Sequence, residues 1–262
     1  MDSRLYQQAS FRLAAGCEFR PGGIDLTREL AAACALRPKE RVLDLACGVG
    51  STASYLSREW GAKVSGLDAS PGFLAEARER DEDVEWLAGE ADAIPFPDGW
   101  FDCVFAECFL STFADPGPIF SEIRRVLRPG GHLAVSDMYL REPNAVPLGA
   151  LAPAATCLCG ARSKDATLGA FREHGFRVTV WEDRSEALKR LTASLIMAYG
   201  SVAAFWEAAA GDGGDERGGA GGREAGGAAA ARGAALSAAR PGYYLLIAEA
   251  SPPAPAGAPS SD

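Results

Sequence analysis

Positive charge is in short supply. Lys and Arg number 26 against 35 for Asp and Glu, a formal net charge of -9, and no basic stripe or block is present that would neutralise a run of phosphates. Nucleic acid is therefore not an expected partner. Long apolar runs are also lacking: none approaches the length that spans a bilayer, and the opening MDSRLYQQASFRLAAG is too polar for the apolar part of a signal peptide. The expectation is a cytoplasmic protein with no membrane partner. Histidine is scarce, with only His132 and His174. His132 starts a strand and His174 lies at a helix C-terminus, where an imidazole suits the dipole. Neither stands near the C-x-C pair Cys157 and Cys159, so no metal centre is expected.

What is abundant is apolar side chain, 48% of a 262-residue chain, enough for a sizeable core. The cysteines are odd in number, Cys17, Cys34, Cys47, Cys103, Cys108, Cys157 and Cys159. A chain of this size needs no disulfide staples, and they read as reduced thiols.

Apolar residues recur at helical spacing over Ala9 to Ala15 and Leu26 to Leu36, with RPGG (Arg20 to Gly23) as the break. Beyond them RVLDLA reads as a strand, STASYLSREW as a helix and AKVSGLD as a strand. PGFLAEARER then reads as a helix with Ser70 as N-cap and Pro71 in its first turn. VEWLAG, FDCVFAE, the helix PIFSEIRRVL and the strand HLAVSDMYL continue the alternation. Strands alternating with helices imply an α/β fold: a doubly wound, mostly parallel seven-stranded sheet with an N-terminal helical lid.

Residues 1–250 are expected to form one domain. Within it lie lid helices over 1–38, the core over 39–140, and a substrate-side connection with helices and a strand (FRVTVWED) over 141–210. A helix is expected near Ala166 to His174 and another from Ser185 to Ala210. A Gly/Ala-rich insert over 211–240 is expected to be mobile, since its composition buries too little to offset ordering. The strand GYYLLIAEA lies within 241–250, and the Pro-rich tail 251–262 is expected to be disordered.

The chemistry centres on RVLDLACGVGSTAS. GVGSTA satisfies G-x-G-x-x-G/A, and Asp68 lies about twenty residues on, so spacing alone admits a dinucleotide. Asp44 argues otherwise, because a pyrophosphate in this loop would lie near its carboxylate. A ligand carrying an ammonium and a sulfonium would be favoured there. Asp68 is placed to accept from ribose hydroxyls, and Asp92, in GEADAIPF, from an adenine amine.

VLDLACGVG, GLDAS, GEADAIPF, FDCVFAECFLSTFADP and EIRRVLRPGGHLAVSD follow one another over Lys39 to Tyr139. In that order and spacing the segment resembles a class I S-adenosylmethionine-dependent methyltransferase of the type 11 group, in a little-characterised bacterial branch. The resemblance implies S-adenosylmethionine as cofactor, with Asp44, Ala46, Gly48 and Gly50 around its methionine part. It implies Asp68 and Ala69 at the ribose, Asp92 and Ala93 at the adenine, and Glu107 beside the methyl donor. Ala46 departs from the glycine usual in the family.

Candidates on the acceptor side are Glu107, as an orienting carboxylate or base, and Cys108 with Cys157, joined by Cys159, as thiols converging over the ligand edge. Arg20 and Tyr6 belong to the lid, where surface packing is the expected role of each and the alternative is closure on the cofactor carboxylate (Arg20) or stacking on the site (Tyr6). The expected function is methyl transfer to a small-molecule acceptor, with a thiol or metalloid species in view. A non-catalytic S-adenosylmethionine-binding or scaffold module is the alternative, and an NAD(P)-dependent oxidoreductase ranks last.

Overall fold

A computed structural model describes residues 20–143, 157–202, 204, 205 and 238–251. The first expected lid helix, Tyr6, Cys17, residues 144–156 of the connection, most of the Gly/Ala-rich segment and all of the tail but Ser251 lie outside the described residues.

The elements are α1 (Gly23–Ala33), β1 (Arg41–Leu45), α2 (Ser51–Trp60), β2 (Lys63–Asp68), α3 (Pro71–Arg80), β3 (Glu85–Ala88) and β4 (Phe101–Glu107), then a short 3-10 turn, Leu110–Thr112. They continue with α4 (Gly117–Val126), β5 (Leu127–Leu140), α5 (Lys164–Glu173), β6 (Phe176–Asp183), α6 (Ser185–Tyr199) and β7 (Pro241–Ala250). The strands form one seven-stranded sheet in the order β3-β2-β1-β4-β5-β7-β6. β1 to β5 run parallel, and β7 inserts antiparallel between β5 and β6. The fold is the α/β arrangement that the alternation predicts.

Period-two alternation divides the core between the two faces of the sheet. On β4, Cys103 and Phe105 join the cluster containing Leu26, Leu30 and Leu56, whereas Val104 and Ala106 join the one containing Ile119, Phe120 and Ile123. On β1, Val42 belongs to the first cluster and Leu43 and Leu45 to the second. The same alternation puts Asp44 on the face of Val42, under α2.

Several boundaries differ from the sequence expectation for identifiable reasons. Helix α1 ends three residues before Leu36 because Ala35 takes a left-handed φ of 51°. Ala35 N–H then donates to Ala32 O and Leu36 N–H to Ala31 O, both at 3.0 Å, the closure usually built on glycine. Strand β5 begins at Leu127 rather than His132, with a register irregularity that takes up RPGG before regular pairing starts at His132. Helix α6 stops at Tyr199, where Gly200 has φ 82°. Helix α3 starts as expected: Ser70 Oγ accepts from Phe73 N–H at 3.4 Å and Pro71 follows.

Candidate functional site

A cavity of about 350 Å³ opens at the carboxyl ends of β1, β2 and β4, the edge where parallel sheets bind ligands. Ala46 to Val49, Asp68 to Ser70, Glu90 to Asp92, Glu107 and Cys108 line it, with Phe109, Phe113, Pro118 and Ile119 forming an apolar side.

The loop after β1 turns through three left-handed residues, Ala46 (φ 59°), Gly48 (φ 54°) and Gly50 (φ 78°). The two glycines serve different ends. A Cβ on Gly48 would meet nothing within 4 Å, so its backbone is open to a ligand, whereas one on Gly50 would stand 2.3 Å from Trp86 Cη2. Gly50 admits the indole, lies off the cavity wall and caps α2. Arg80 Nε donates to Val49 O at 2.9 Å and fixes the loop from α3.

Asp68 ends β2 with both carboxylate oxygens engaged, accepting from Gly48 N–H at 2.9 Å and Ser70 N–H at 2.8 Å. Burial pushes its carboxyl up, against the pull of those two donors. Ala69 and the exposed Asp92 lie on the wall beyond it, while Ala93 does not. Asp44 is 3% exposed and stands behind the loop, where it accepts from Ala53 N–H at 3.0 Å. Burial, then the charge of Glu107, raises its carboxyl to about 7.

Glu107 is more heavily engaged than its place at the end of β4 suggested. Its carboxylate accepts from Thr52 Oγ1 at 2.7 Å, Thr27 Oγ1 at 3.1 Å and Ser136 Oγ at 3.3 Å, and Arg20 Nη2 lies 3.2 Å away. The sequence favours surface packing for Arg20, with the cofactor carboxylate as the alternative, and gives no role to Thr27, Thr52 or Ser136. One signal for Thr27 was available: a hydroxyl on the otherwise apolar face Leu26, Leu30 and Ala31 of α1.

Cys108 follows Glu107 with φ 54°, donates its N–H to Ser136 O at 2.7 Å and lines the cavity. The Cys157 side chain beside it, together with burial, pushes its thiol up. Cys159 is half-buried. Among the described residues no three His, Cys, Asp or Glu side chains gather in a group able to hold a metal ion. Cys34 and Cys103 meet at 3.9 Å in the core, and His174 caps α5 with Nδ1 2.9 Å from Ala170 O.

These features fit a cationic adenosine ligand. The wall carries Asp68, Glu90, Asp92, Glu107 and Asp115 as carboxylates against Arg20 as its basic residue. Ser51, in the first turn of α2, also lines the cavity, and its buried Oγ has no hydrogen-bond partner among the described residues. A donor or acceptor buried without a partner is uncommon, and one beside a cleft suits a polar ligand group.

Comparison with known proteins agrees. Residues 43–135 match the methyltransferase domain family. A demethylmenaquinone methyltransferase of Thermus thermophilus is 42% identical over 128 residues, 47% of this chain and 55% of that one. The chain spans about half the length of the curated relatives it matches. Among solved structures, the [4+2]-cyclase SpnF is similar at 25% identity and TM-score 0.63, covering 86% of this chain and 80% of its own. The phosphoethanolamine N-methyltransferase 2 of Haemonchus contortus, in complex with S-adenosyl-L-methionine, shares the fold at 17% identity and TM-score 0.69, over 96% of this chain and 58% of its own. In the described residues no helix is long and apolar enough to cross a membrane. Residues 43–135 are thus similar to methyltransferase domains and sit in a fold that these solved structures share.

Proposed function

We propose that the protein transfers the methyl group of S-adenosylmethionine to a small-molecule acceptor. The observation that carries this reading is the charge of the cleft wall, five carboxylates to one guanidinium. Such a wall favours a ligand with an ammonium and a sulfonium and opposes the pyrophosphate of a dinucleotide. When bound, the cofactor supplies a methyl group activated by the positive sulfur.

The chain's own residues hold and orient. Asp68, fixed by Gly48 and Ser70 N–H groups, accepts from the ribose hydroxyls, and Asp92 receives the adenine. Ser51 Oγ and the N-terminus of α2 receive the methionine carboxylate, where the helix dipole favours an anion. Asp44 acts through the loop as a buried negative charge, and the open backbone of Gly48 lets the ligand approach. Phe109, Phe113 and Ile119 exclude water from the remaining wall. Glu107, with its oxygens already engaged, shapes the site rather than abstracting a proton, so a base for an acceptor that needs one comes from elsewhere, from the acceptor itself or from another wall carboxylate such as Asp115.

Cys108 and Cys157 are the features that favour a soft acceptor atom. They supply two sulfurs, with Cys108 held toward its protonated form and no third ligand gathered among the described residues. That is a poor metalloid site, and the acceptor class proposed is a small molecule without restriction to thiols or metalloids. The likeness to a [4+2]-cyclase favours a second reading, a cofactor-binding fold that performs no methyl transfer.

Calorimetry with S-adenosylmethionine, on wild type and Asp68→Ala, tests the first step. Saturable wild-type binding that Asp68→Ala weakens at least tenfold is expected, and equal behaviour of the two proteins would overturn the site. Release of S-adenosylhomocysteine across a panel of phenol, quinol, amine, carboxylate and thiol acceptors separates transferase from cyclase-like use. Retention of bound donor with no release across the panel would favour the second reading.

A further inference from the structure

The family match starts at residue 43, yet the carboxylate that ends β4 is held from before it. Arg20 Nη2 lies 3.2 Å from Glu107 Oε2, with the two side chains 8% and 4% exposed. The same nitrogen donates to Thr27 Oγ1 at 2.5 Å and Thr52 Oγ1 at 3.0 Å, and both hydroxyls pass on a hydrogen bond to Glu107. Asp44 stands on the neighbouring strand, its register partner Phe105 two residues before Glu107. A buried negative charge on the neighbouring strand opposes ionisation of Asp44, and a nearby cation relieves that opposition. Arg20 also lines the cavity.

We infer that Arg20 is a positioning residue for the methyl-donor cleft, clamping Glu107 against Thr27 and Thr52 and supplying the positive charge that lets Asp44 and Glu107 stand together as carboxylates. The inference rests on the methyl-donor reading above and makes α1 part of the cleft. The groups facing Asp44 are Glu107 from β4, Arg20 from the segment before α1, Asp68 from β2 and Cys47 in the loop. The Tyr243 phenol from β7 faces Glu107. Burial and Glu107 push Asp44 up to about 7, and Arg20 and the Ala53 N–H act against them. Loss of Arg20 thus protonates Asp44 in the neutral range and removes the charge that favours a cationic ligand.

The experiment follows the Asp44 carboxyl by carbon-13 NMR in donor-free protein and S-adenosylmethionine binding by calorimetry between pH 6 and 8.5. In Arg20→Gln the Asp44 midpoint is expected to rise by about one pH unit, the lower end of what one nearby charge does. Affinity should fall most at pH 6 to 7 and recover toward pH 8.5, and Arg20→Lys should restore most of both. Thr27→Val, which keeps the charge, should weaken binding by the same factor at every pH. An Asp44 midpoint that Arg20→Gln leaves in place, or a pH-independent loss of affinity in that variant, would overturn the inference. Should Arg20→Gln not fold, the double variant R20Q/E107Q removes both buried charges. Its Asp44 midpoint, compared with that of E107Q alone, must rise if Arg20 acts on Asp44. Absence of saturable binding by wild type overturns the donor reading, and an unmoved midpoint with wild-type binding intact overturns only the role of Arg20.

Discussion

The indole of Trp86 fills the place where a side chain on Gly50 would begin: a Cβ there would stand 2.3 Å from Cη2 and 2.9 Å from Cζ3. Trp86 is itself anchored, its Nε1 donating to Asp81 O at 2.8 Å. The second glycine of the motif is thus a packing residue and the first a ligand residue. Gly50→Ala should cost about 1–3 kcal/mol of stability, as overpacking does, with some further cost from a positive φ. Gly48→Ala, with open space around its Cβ, should cost about 1–2 kcal/mol from its φ alone and lose most of its donor affinity. Urea unfolding with parallel calorimetry checks the pair. Equal stability losses together with equal affinity losses would show that the two positions do not differ in kind.

Ala46 holds φ 59° without the freedom of glycine. That conformation costs a non-glycine residue about 1–2 kcal/mol, while glycine adds about 0.5–1 kcal/mol of unfolded-state entropy. Ala46→Gly should therefore leave stability unchanged or raise it by up to about 1.5 kcal/mol, and donor affinity should not fall. A clear destabilisation would mean that the Ala46 methyl, itself partly buried, packs productively against the buried cluster it adjoins.

The buried acids reverse the usual dependence of stability on pH. Asp44 is raised to about 7 and Asp137 to about 6, each chiefly by burial. Between the unfolded value near 4 and those raised values the folded chain binds more protons than the unfolded one, so stability falls as pH rises. Acids held low by partners, Asp102 and Glu122 by Arg128 and Arg125 and Asp183 by Tyr139, Ser185 and Arg141, lose their contribution only as pH drops below about 4. Donor-free protein should thus resist urea better at pH 5.5 than at pH 7.5. Asp44→Asn should flatten that slope while its side-chain oxygen still accepts from Ala53 N–H. An unchanged slope in the variant would remove Asp44 as its source.

Much of the fold was legible because the strands bury one or both faces and so carry runs or alternations that only a sheet explains. The Ser70-Pro71 start of α3 was legible because the cap is local. The misread boundaries came where an unusual residue does a usual job, as Ala35 does in closing α1, or where RPGG reads as a break although the strand takes it up as an irregularity. The loop after β1, with Asp68 and Asp92 at the following strand ends, could be placed from motif order. The bonds that fix Glu107 could not, since Thr27 and Thr52 lie 80 and 55 residues away in sequence and local patterns hold no record of such pairs. Asp44 was expected beside the ligand, and strand alternation instead sets it beneath α2, from where its charge acts through the loop.

Asp137 has no exposed surface, and its oxygens accept from Ser111 N–H at 2.9 Å, Met138 N–H at 2.7 Å and, in a very short contact, Ser111 Oγ. Ser111 belongs to the 3-10 turn that follows Cys108 and Phe109 on the cavity wall, so this one carboxylate fixes the acceptor-side loop to β5. Ser111→Ala removes a hydroxyl from a buried, partly charged acceptor, which should cost about 1–3 kcal/mol and push Asp137 further up from about 6. The fall of stability with rising pH should then extend to higher pH, while its start stays near the unfolded value of about 4. Because the backbone N–H of residue 111 remains, the loop should loosen rather than detach. Hydrogen exchange should speed up over residues 108–113 while donor affinity, set on the other side of the cleft, stays within about twofold, the scatter expected of an independent site. Exchange that accelerates across β1 and β2 instead would show that Ser111 supports the whole sheet and not the loop.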